Sequence, residues 1–297
     1  MTEADFIAAL RALPLHAGAE ALADDAAFLP PDLVLTTDSI AEGVHYLPGT
    51  TPQDVAWRLV ATNLSDLAAK GARPDGVLLN YPLGDDAWDR AFVAGLREVL
   101  ARFDCALLGG DTVRLIAGAP RTISLTAIGR ASHLPIPRRS GARAGDSIWV
   151  AGAIGDAMLG HRLVAAGDLQ PGALVAAYLR PQPLVAQGIA LAPLVSAMMD
   201  VSDGLLIDAA RIATASGVTM AIERARVPLS PTFRRVAQGD DGEAALRWGD
   251  DYALLFTLPA DRHPPVPATM IGRVEASGRL PVTLDGEAPA GTLGYQH

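Results

Sequence analysis

The sequence has a single cysteine, Cys105, and a single lysine, Lys70, among its 297 residues. One cysteine excludes an internal disulfide and a multi-cysteine zinc site, and it favours a reducing, cytoplasmic compartment. One lysine leaves a single candidate for any chemistry that needs this side chain, such as a Schiff base. The glycine-rich pattern GxxxxGK[ST] is absent, which argues against a P-loop nucleotide enzyme.

Basic charge and long apolar runs are scarce as well. The formal net charge is −9, from 33 acidic and 24 basic residues, so a surface for nucleic acid is not expected. The apolar stretch 188–199 is interrupted by Pro193 and is shorter than the roughly 20 residues of a membrane span. The first residues show no basic n-region, so we predict neither a signal peptide nor a membrane partner.

Alternating helix-like and strand-like segments fill both halves of the chain. Helical spacing covers 6–13, 54–70, 87–103, 155–166, 181–194 and 205–216, and strand-like runs cover 33–37, 76–83, 105–108, 122–130, 147–151, 197–201, 218–222, 252–258 and 269–274. Residues 132–145 are polar and aperiodic and contain two prolines, which is typical of a linker. We therefore predict an α/β (α+β) fold with two domains, 1–135 and 136–297.

Aspartates recur where these segments join. They are Asp24, Asp25, Asp38, Asp66, Asp111, Asp200, Asp203, Asp250 and Asp251. Each also has a purely structural interpretation: Ser202 or Asp203 could cap a helix, and Asp111 could lie in a turn. Asp66 could face solvent. If the carboxylates converge, however, they require a cation among them, because like charges at short range cannot all ionise.

The residue types near these aspartates indicate which cation. Histidine and cysteine are scarce, whereas Thr36, Thr37 and Ser202 add hydroxyl oxygens, and such oxygen ligands suit magnesium, which completes its shell with water and substrate phosphate. Gly109 and Gly110 would let the backbone approach a phosphate closely. The pattern predicts magnesium-dependent phosphoryl transfer without a dedicated catalytic base.

Seven segments share the order and spacing of one known family. They are DDAA at 24–27, LTTDSIAEGVHYL at 35–47, TNLSDLAAKG at 62–71, GGDT at 109–112, RSGARAGD at 139–146, DVSDGL at 200–205 and GDDYALLF at 249–256. In these segments the chain resembles the thiamine-monophosphate kinases. The resemblance implies a two-domain fold of the aminoimidazole-ribotide-synthetase type, in which the N-terminal domains of a homodimer share a β-barrel. It also implies direct in-line transfer from ATP to thiamine monophosphate, which yields thiamine diphosphate.

The resemblance carries residue roles with it. The positions that match the ligands of several magnesium ions are Asp25, Thr36, Thr37, Asp38, Asp66, Asp111, Asp200 and Asp203. Those that match ATP contacts are Gly110, Asp111, Arg139 and Ser202, and those that match substrate contacts are His45, Asp250 and Tyr295. Arg139 suits a phosphate clamp because its guanidinium presents a fork of donors.

This chain departs from the family pattern at residues 21–23, 250 and 253. Residues 21–23 read Ala-Leu-Ala where the family has Gly-Ile-Gly. Asp250 replaces a glutamate that contacts the substrate, and Ala253 replaces a second glutamate. These departures bear on thiamine recognition more than on the metal and ATP sites.

Two alternatives stay open at this point. One is another ATP-dependent enzyme of the same superfamily, such as a purine-pathway synthetase, the hydrogenase-maturation dehydratase or selenophosphate synthetase. The last is disfavoured, because its reactive Cys or selenocysteine and nearby Lys lie close to the N-terminus, unlike Cys105 and Lys70. The other alternative is a non-catalytic protein that binds nucleotide or metal.

Overall fold

The computed structural model describes residues 3–116 and 118–296. Its α-helices are α1 Glu3–Leu10, α2 Pro52–Ala69, α3 Asp86–Arg102, α4 Asp156–Ala165, α5 Gly172–Leu179, α6 Val185–Leu191, α7 Leu205–Ser216, α8 Pro231–Val236 and α9 Asp241–Trp248. Its strands are β1 Ala27–Leu29, β2 Leu33–Ala41, β3 Ala72–Leu83, β4 Ala106–Arg114, β5 Thr122–Ala131, β6 Ser147–Ala151, β7 Ala197–Asp200, β8 Val218–Ile222, β9 Leu254–Leu258, β10 Thr269–Ala276 and β11 Val282–Leu284. Over the described ranges, no helix combines the length and apolar character that a bilayer crossing requires.

The strands form two open mixed sheets, one in each half of the chain. The first has the order β1-β2-β5-β3-β4, and all its pairs are antiparallel except β3 with β4. The second has the order β11-β8-β10-β6-β9-β7 and is antiparallel apart from β11 with β8. The predicted α/β (α+β) class is confirmed. The predicted boundary at 135/136 stays a prediction and falls between the last strand of one sheet and the first strand of the other.

Helix α2 lies at the centre of the molecule. Thr51 caps it by accepting from the backbone N–H of Asp54, and Pro52 occupies its first turn, where a missing N–H costs nothing. Fourteen of its 18 residues are buried, because it packs against β2 and β5 on one side and against α6 and β7 on the other. A helix enclosed by both halves of the chain can present side chains to the junction between them.

Two strands are longer than the sequence predicts. We expected strand 33–37 to end before Asp38, but β2 pairs with β5 as far as Ala41 opposite Thr122. Likewise β4 continues through Gly109–Gly110 to Arg114 because it pairs with β3 along that whole stretch. Backbone pairing therefore extends both strands through residues whose composition indicates a turn.

One strand and one helix are shorter than the sequence predicts, and three further helices are present. The strand predicted from residue 252 begins at Leu254, and the helix predicted over 181–194 is confined to α6. Tyr252 has a positive φ of 49°, which is incompatible with a β-strand. Pro181 and Pro183 precede α6 without joining it. Helices α5, α8 and α9 were not predicted from the sequence.

Candidate functional site

Three aspartates from distant segments converge at the junction of the two halves. Asp25 precedes β1, Asp66 lies on the last turns of α2, and Asp200 ends β7. One carboxylate oxygen from each lies within 4.8 Å of the others. We call Asp25, Asp66 and Asp200 the carboxylate cluster. Three of the nine aspartates singled out from the sequence thus lie at one place.

Hydroxyl and amide groups of neighbouring elements hold the cluster. The Ser65 hydroxyl donates to Asp200 Oδ2 at 2.6 Å and joins α2 to β7. The Thr36 hydroxyl donates to Asp66 Oδ2. The Asn63 side chain is fully buried and accepts from the backbone N–H of Asp38 at 3.1 Å. Because strand residues alternate in direction, Thr36 and Asp38 share the face of β2 that packs on α2.

Two cations lie against Asp25. The Lys70 Nζ is 2.6 Å from Asp25 Oδ2 and 2.5 Å from Asp24 Oδ1. Arg139 Nε donates to Asp25 Oδ1 at 2.6 Å, and its Nη2 contacts the same oxygen. Burial alone would raise the pKa of Asp25, but the charges of Lys70 and Arg139 outweigh it and lower that pKa.

The pKa values of the other two carboxylates in the cluster shift in the opposite direction. Burial, followed by the charges of Asp38 and Asp200, raises the pKa of Asp66 well above its usual range. Burial and the charge of Asp25 raise the pKa of Asp200 to about 7, although the hydrogen bond from Ser65 opposes this. Without an added cation, the cluster therefore retains protons that ordinary aspartates release near pH 4.

The donor set of the cluster fits magnesium. The candidate ligand atoms near it are all oxygens, from carboxylates and the Thr36 hydroxyl, and magnesium prefers oxygen over nitrogen or sulfur. Asp25 Oδ2 is buried and lies 2.6 Å from the Lys70 ammonium. The raised pKa values of Asp66 and Asp200 show that, beyond the effect of burial, these clustered carboxylates repel one another.

These shifts predict how the stability of the metal-free protein depends on pH. The folded chain holds a proton on Asp200 up to about pH 7, whereas the unfolded chain releases it near pH 4, so stability falls as pH rises through that window. We expect the unfolding midpoint in EDTA to be at least about 3 °C lower at pH 8 than at pH 5.5, the change that about 1 kcal/mol produces in a chain of this size. Thermal unfolding measured by circular dichroism checks this.

The variant Asp200→Asn serves as the comparison for that experiment. Because it removes the titrating carboxylate but keeps an acceptor for Ser65, its midpoint should vary less with pH than that of the natural protein. Magnesium should stabilise the natural protein more at pH 8 than at pH 5.5. An equal pH slope in the two proteins would remove Asp200 as the cause.

The turn after β7 carries two further predicted site residues, Ser202 and Asp203. Asp208 Oδ2 accepts from the backbone N–H groups of residues 202, 203 and 204 at 3.1–3.2 Å. Burial raises the pKa of Asp208 to about 7. Arg211 Nη1 lies 2.6 Å from Asp203 Oδ2 and 2.7 Å from Asp208 Oδ1. Neither Ser202 nor Asp203 caps α7, whose N-cap residue is Gly204, so their helix-capping interpretation is wrong.

Two predicted substrate-contact residues reach the same turn. The N–H of Asp250 donates to Ser202 O at 2.8 Å, and the N–H of Tyr295 donates to Asp203 O at 2.9 Å. Gly249 makes the first contact possible: its φ is +88°, and a Cβ there would lie 2.2 Å from Ser202 O. The Asp250 carboxylate pairs with Arg58 Nη2 of α2 at 2.6 Å, so it too faces the junction.

Other predicted residues lie apart from the cluster. His45 is in the loop after β2, and its Nδ1 accepts from the N–H of Ala41. The Thr37 hydroxyl lies on the opposite face of β2 from Thr36 and donates to Leu125 O. Gly110 and Asp111 are on the exposed strand β4. A Cβ at Gly110 would lie 1.8 Å from Leu79 O, so strand packing is sufficient to require glycine there.

The sequence analysis missed four residues that shape the site. Lys70, Arg58, Arg211 and Asp208 all contact predicted site residues. One signal was available: Lys70 is the only lysine of the chain and follows the apolar residues 67–69. The contact of Arg58 with Asp250 joins segments far apart in sequence. The contacts of Arg211 and Asp208 depend on the local conformation of the turn before α7. Residue spacing therefore did not reveal these three residues.

Comparisons with known proteins point to one group. Residues 23–131 match the family model of the AIR synthase related protein N-terminal domain, and residues 143–285 match that of the C-terminal domain. The thiamine-monophosphate kinase of Caulobacter vibrioides is 41% identical, with 86% of this chain and 77% of that protein covered. The thiamine-monophosphate kinase of Escherichia coli K12 is 36% identical, with 93% of this chain and 91% of that protein covered.

A solved structure shows the same relationship in three dimensions. The structure named "AaThiL complexed with AMPPCP and TMP" superposes with a TM-score of 0.87 at 30% identity, and the superposition covers 100% of this chain and 97% of that one. The protein in that structure holds both an ATP analogue and TMP. The similarity extends over both sheets and the junction between them.

Proposed function

The chain belongs to the AIR synthase related family and, within it, to the thiamine-monophosphate kinases, and we propose that its carboxylate cluster is the site of phosphoryl transfer. The protein is an enzyme that phosphorylates thiamine monophosphate with ATP as the donor. The observation that supports this location is the convergence of Asp25, Asp66 and Asp200 from three distant segments. The function deduced from the residues and the function of the relatives therefore agree.

The chemistry needs charge neutralisation more than a base. The acceptor is a phosphate oxygen that is largely ionised at neutral pH, since the second pKa of a phosphate monoester is about 6. Donor and acceptor are both anions and repel each other, so positioning and positive charge lower the barrier. Magnesium supplies that positive charge when bound. The residues that would hold it are Asp25, Thr36, Asp38, Asp66 and Asp200, with Thr37, Asp111 and Asp203 as the further ligands that the resemblance implies.

Arg139 is proposed to bind the phosphates of ATP. Its guanidinium contacts Asp25 Oδ1, so nucleotide phosphate and Asp25 would compete for the same donors. Ser202, Gly110 and Asp111 complete the proposed ATP contacts. His45, Asp250 and Tyr295 are the proposed contacts to thiamine monophosphate, and Arg58 fixes the direction of the Asp250 carboxylate.

One assay separates this function from the alternatives. Purified protein is mixed with ATP, magnesium and thiamine monophosphate, and the products are quantified by chromatography. We expect thiamine diphosphate and ADP in equal amounts, and neither product in EDTA. ADP formed only with a different acceptor would support another synthetase of the superfamily. Nucleotide binding without turnover would support a non-catalytic relative.

A homodimer is proposed from the exposed face of β4. Leu107, Leu108 and Val113 on this edge strand are 52–59% exposed, and an open apolar edge promotes association with another chain. A second copy of the chain would cover these side chains, as the shared β-barrel implied by the resemblance requires. The proposal also includes a cytoplasmic location, supported by the single unpaired cysteine.

The dimer proposal predicts the effect of a charge on β4. Leu107→Lys should raise the dimer dissociation constant by about 100-fold or more, because an apolar interface disfavours an unpaired buried charge. Sedimentation velocity over a range of protein concentrations measures this. Leu169→Lys is the matched control, since Leu169 is 60% exposed but lies outside the first sheet. Identical dissociation of both variants would exclude β4 as the interface.

A further inference from the structure

The only lysine of the chain has an unusual position. Lys70 follows the last residue of α2, and its side chain is fully buried. Its ammonium lies 2.5 Å from Asp24 Oδ1 and 2.6 Å from Asp25 Oδ2, and it donates to Met198 O of β7 at 3.4 Å. The ammonium thus connects the segment before β1, α2 and β7, which are the three segments that supply the carboxylate cluster.

The two oxygens of Asp25 have different partners. Oδ2 faces Lys70, whereas Oδ1 faces Arg139. The side chain of Arg139 is 21% exposed and that of Lys70 is 0% exposed. Arg139 can therefore turn away toward an incoming phosphate. The Lys70 ammonium cannot move away in the same manner, because two buried carboxylates would then lose their cation.

We propose that Lys70 is a permanent cation of this site, which balances Asp24 and Asp25 and reserves Asp25 Oδ2 for the ammonium. Only Oδ1 of Asp25 is then available to magnesium. Lys70 is a positioning residue that keeps the cluster assembled before metal binds and lowers the affinity of the site for magnesium. This inference rests on the proposed function, because it assigns a role to Lys70 within the proposed magnesium site.

The variant Lys70→Met tests the proposal without an activity measurement. Methionine has a similar length and no charge, so the variant removes the buried cation from Asp24 and leaves Asp25 with Arg139 alone. We expect its unfolding midpoint in EDTA to fall, and magnesium to restore more stability than it gives to the natural protein. The magnesium concentration for half-saturation, measured by isothermal titration calorimetry, should fall at least tenfold, because no ammonium then competes for Asp25.

Arg180→Met is the matched control. Arg180 also bridges two carboxylates, Asp54 at 2.5 Å and Glu98 at 2.8 Å, and these lie outside the cluster. We expect this variant to lose the same stability with and without magnesium and to keep the natural half-saturation concentration. Half-saturation of Lys70→Met within twofold of the natural value would overturn the inference. Absence of any magnesium response in the natural protein would instead overturn the magnesium site, and the inference with it.

A measurement on the natural protein covers the case in which Lys70→Met does not fold. With ε-¹⁵N-lysine, the chain gives one side-chain ammonium signal, since it has one lysine. We expect slow exchange of its protons with water at neutral pH. Magnesium with a non-hydrolysable ATP analogue should shift the signal and leave it observable. A signal averaged by rapid water exchange, with or without magnesium, would show that the ammonium is not held by the two aspartates.

Discussion

Replacing Asp66 with Asn is expected to lower kcat by about 10³-fold or more, which corresponds to about 4 kcal/mol of lost transition-state stabilisation. Asp66 is the member of the carboxylate cluster that the central helix carries, and its Oδ2 accepts from Thr36. Asparagine keeps the size and one acceptor oxygen but removes the charge that would hold magnesium. Steady-state assays at saturating ATP and thiamine monophosphate measure the loss.

The same substitution should not weaken the fold. The pKa of Asp66 is raised by burial and by the charges of Asp38 and Asp200, so ionised Asp66 destabilises the metal-free protein. We expect the unfolding midpoint of Asp66→Asn in EDTA to equal or exceed that of the natural protein at pH 8. Magnesium should stabilise the variant less than it stabilises the natural protein.

Asp54→Asn provides the charge-matched control on the same helix. Asp54 lies in the first turn of α2 and pairs with Arg180, far along the helix from Asp66. This variant should lose some stability and keep kcat within about threefold, because it removes a partly buried ion pair and no site residue. Ordinary turnover in Asp66→Asn would remove Asp66 from the metal ligands.

Arg139→Ala is expected to raise the KM for ATP by about 10- to 100-fold, the second largest effect on catalysis. This is the range expected for loss of a charge-assisted contact worth roughly 1.5–3 kcal/mol. The KM for thiamine monophosphate should change by less than about threefold, because Arg139 is proposed to contact ATP alone. Initial rates with one substrate varied at a time separate the two constants.

Arg138→Ala is the control for that experiment. The neighbouring arginine is 46% exposed and pairs with Glu20 at 2.8 Å, outside the cluster. The Arg138→Ala variant should leave the KM values for ATP and thiamine monophosphate near those of the natural protein. Equal increases in both KM values for Arg139→Ala would indicate that the arginine supports the whole site through Asp25, and the assignment as a phosphate clamp would then be wrong.

Part of the site was predictable because its residues occur in compact motifs. Asp66 lies in an uninterrupted helical pattern, and Asp200 and Asp203 flank Ser202 at the end of an apolar run. Polar residues in such apolar surroundings indicate a function, because burial without a partner is costly. The strand boundaries were less predictable: β2 and β4 continue through their polar residues since a neighbouring strand satisfies the backbone there.

The charge partners were not predictable. Nothing in the spacing of Lys70 relates it to Asp24, 46 positions earlier, and Arg58 is 192 positions from Asp250. A long flexible side chain can reach several places, and packing of the two halves around α2 selects one of them. Thr36 and Thr37 illustrate the same point, because adjacent residues of one strand face opposite sides of the sheet.

The sequence by itself determined the composition class, the alternation of helices and strands, and the oxygen-rich set of residues suited to magnesium and phosphate. Only the tertiary structure decided which carboxylates meet, which cations accompany them and which pKa values rise or fall. The physical reason is the separation along the chain of the residues that interact. Helix and strand periodicity is local and can be read from neighbouring residues, whereas electrostatic energies depend on distances and burial that exist only after distant segments pack together.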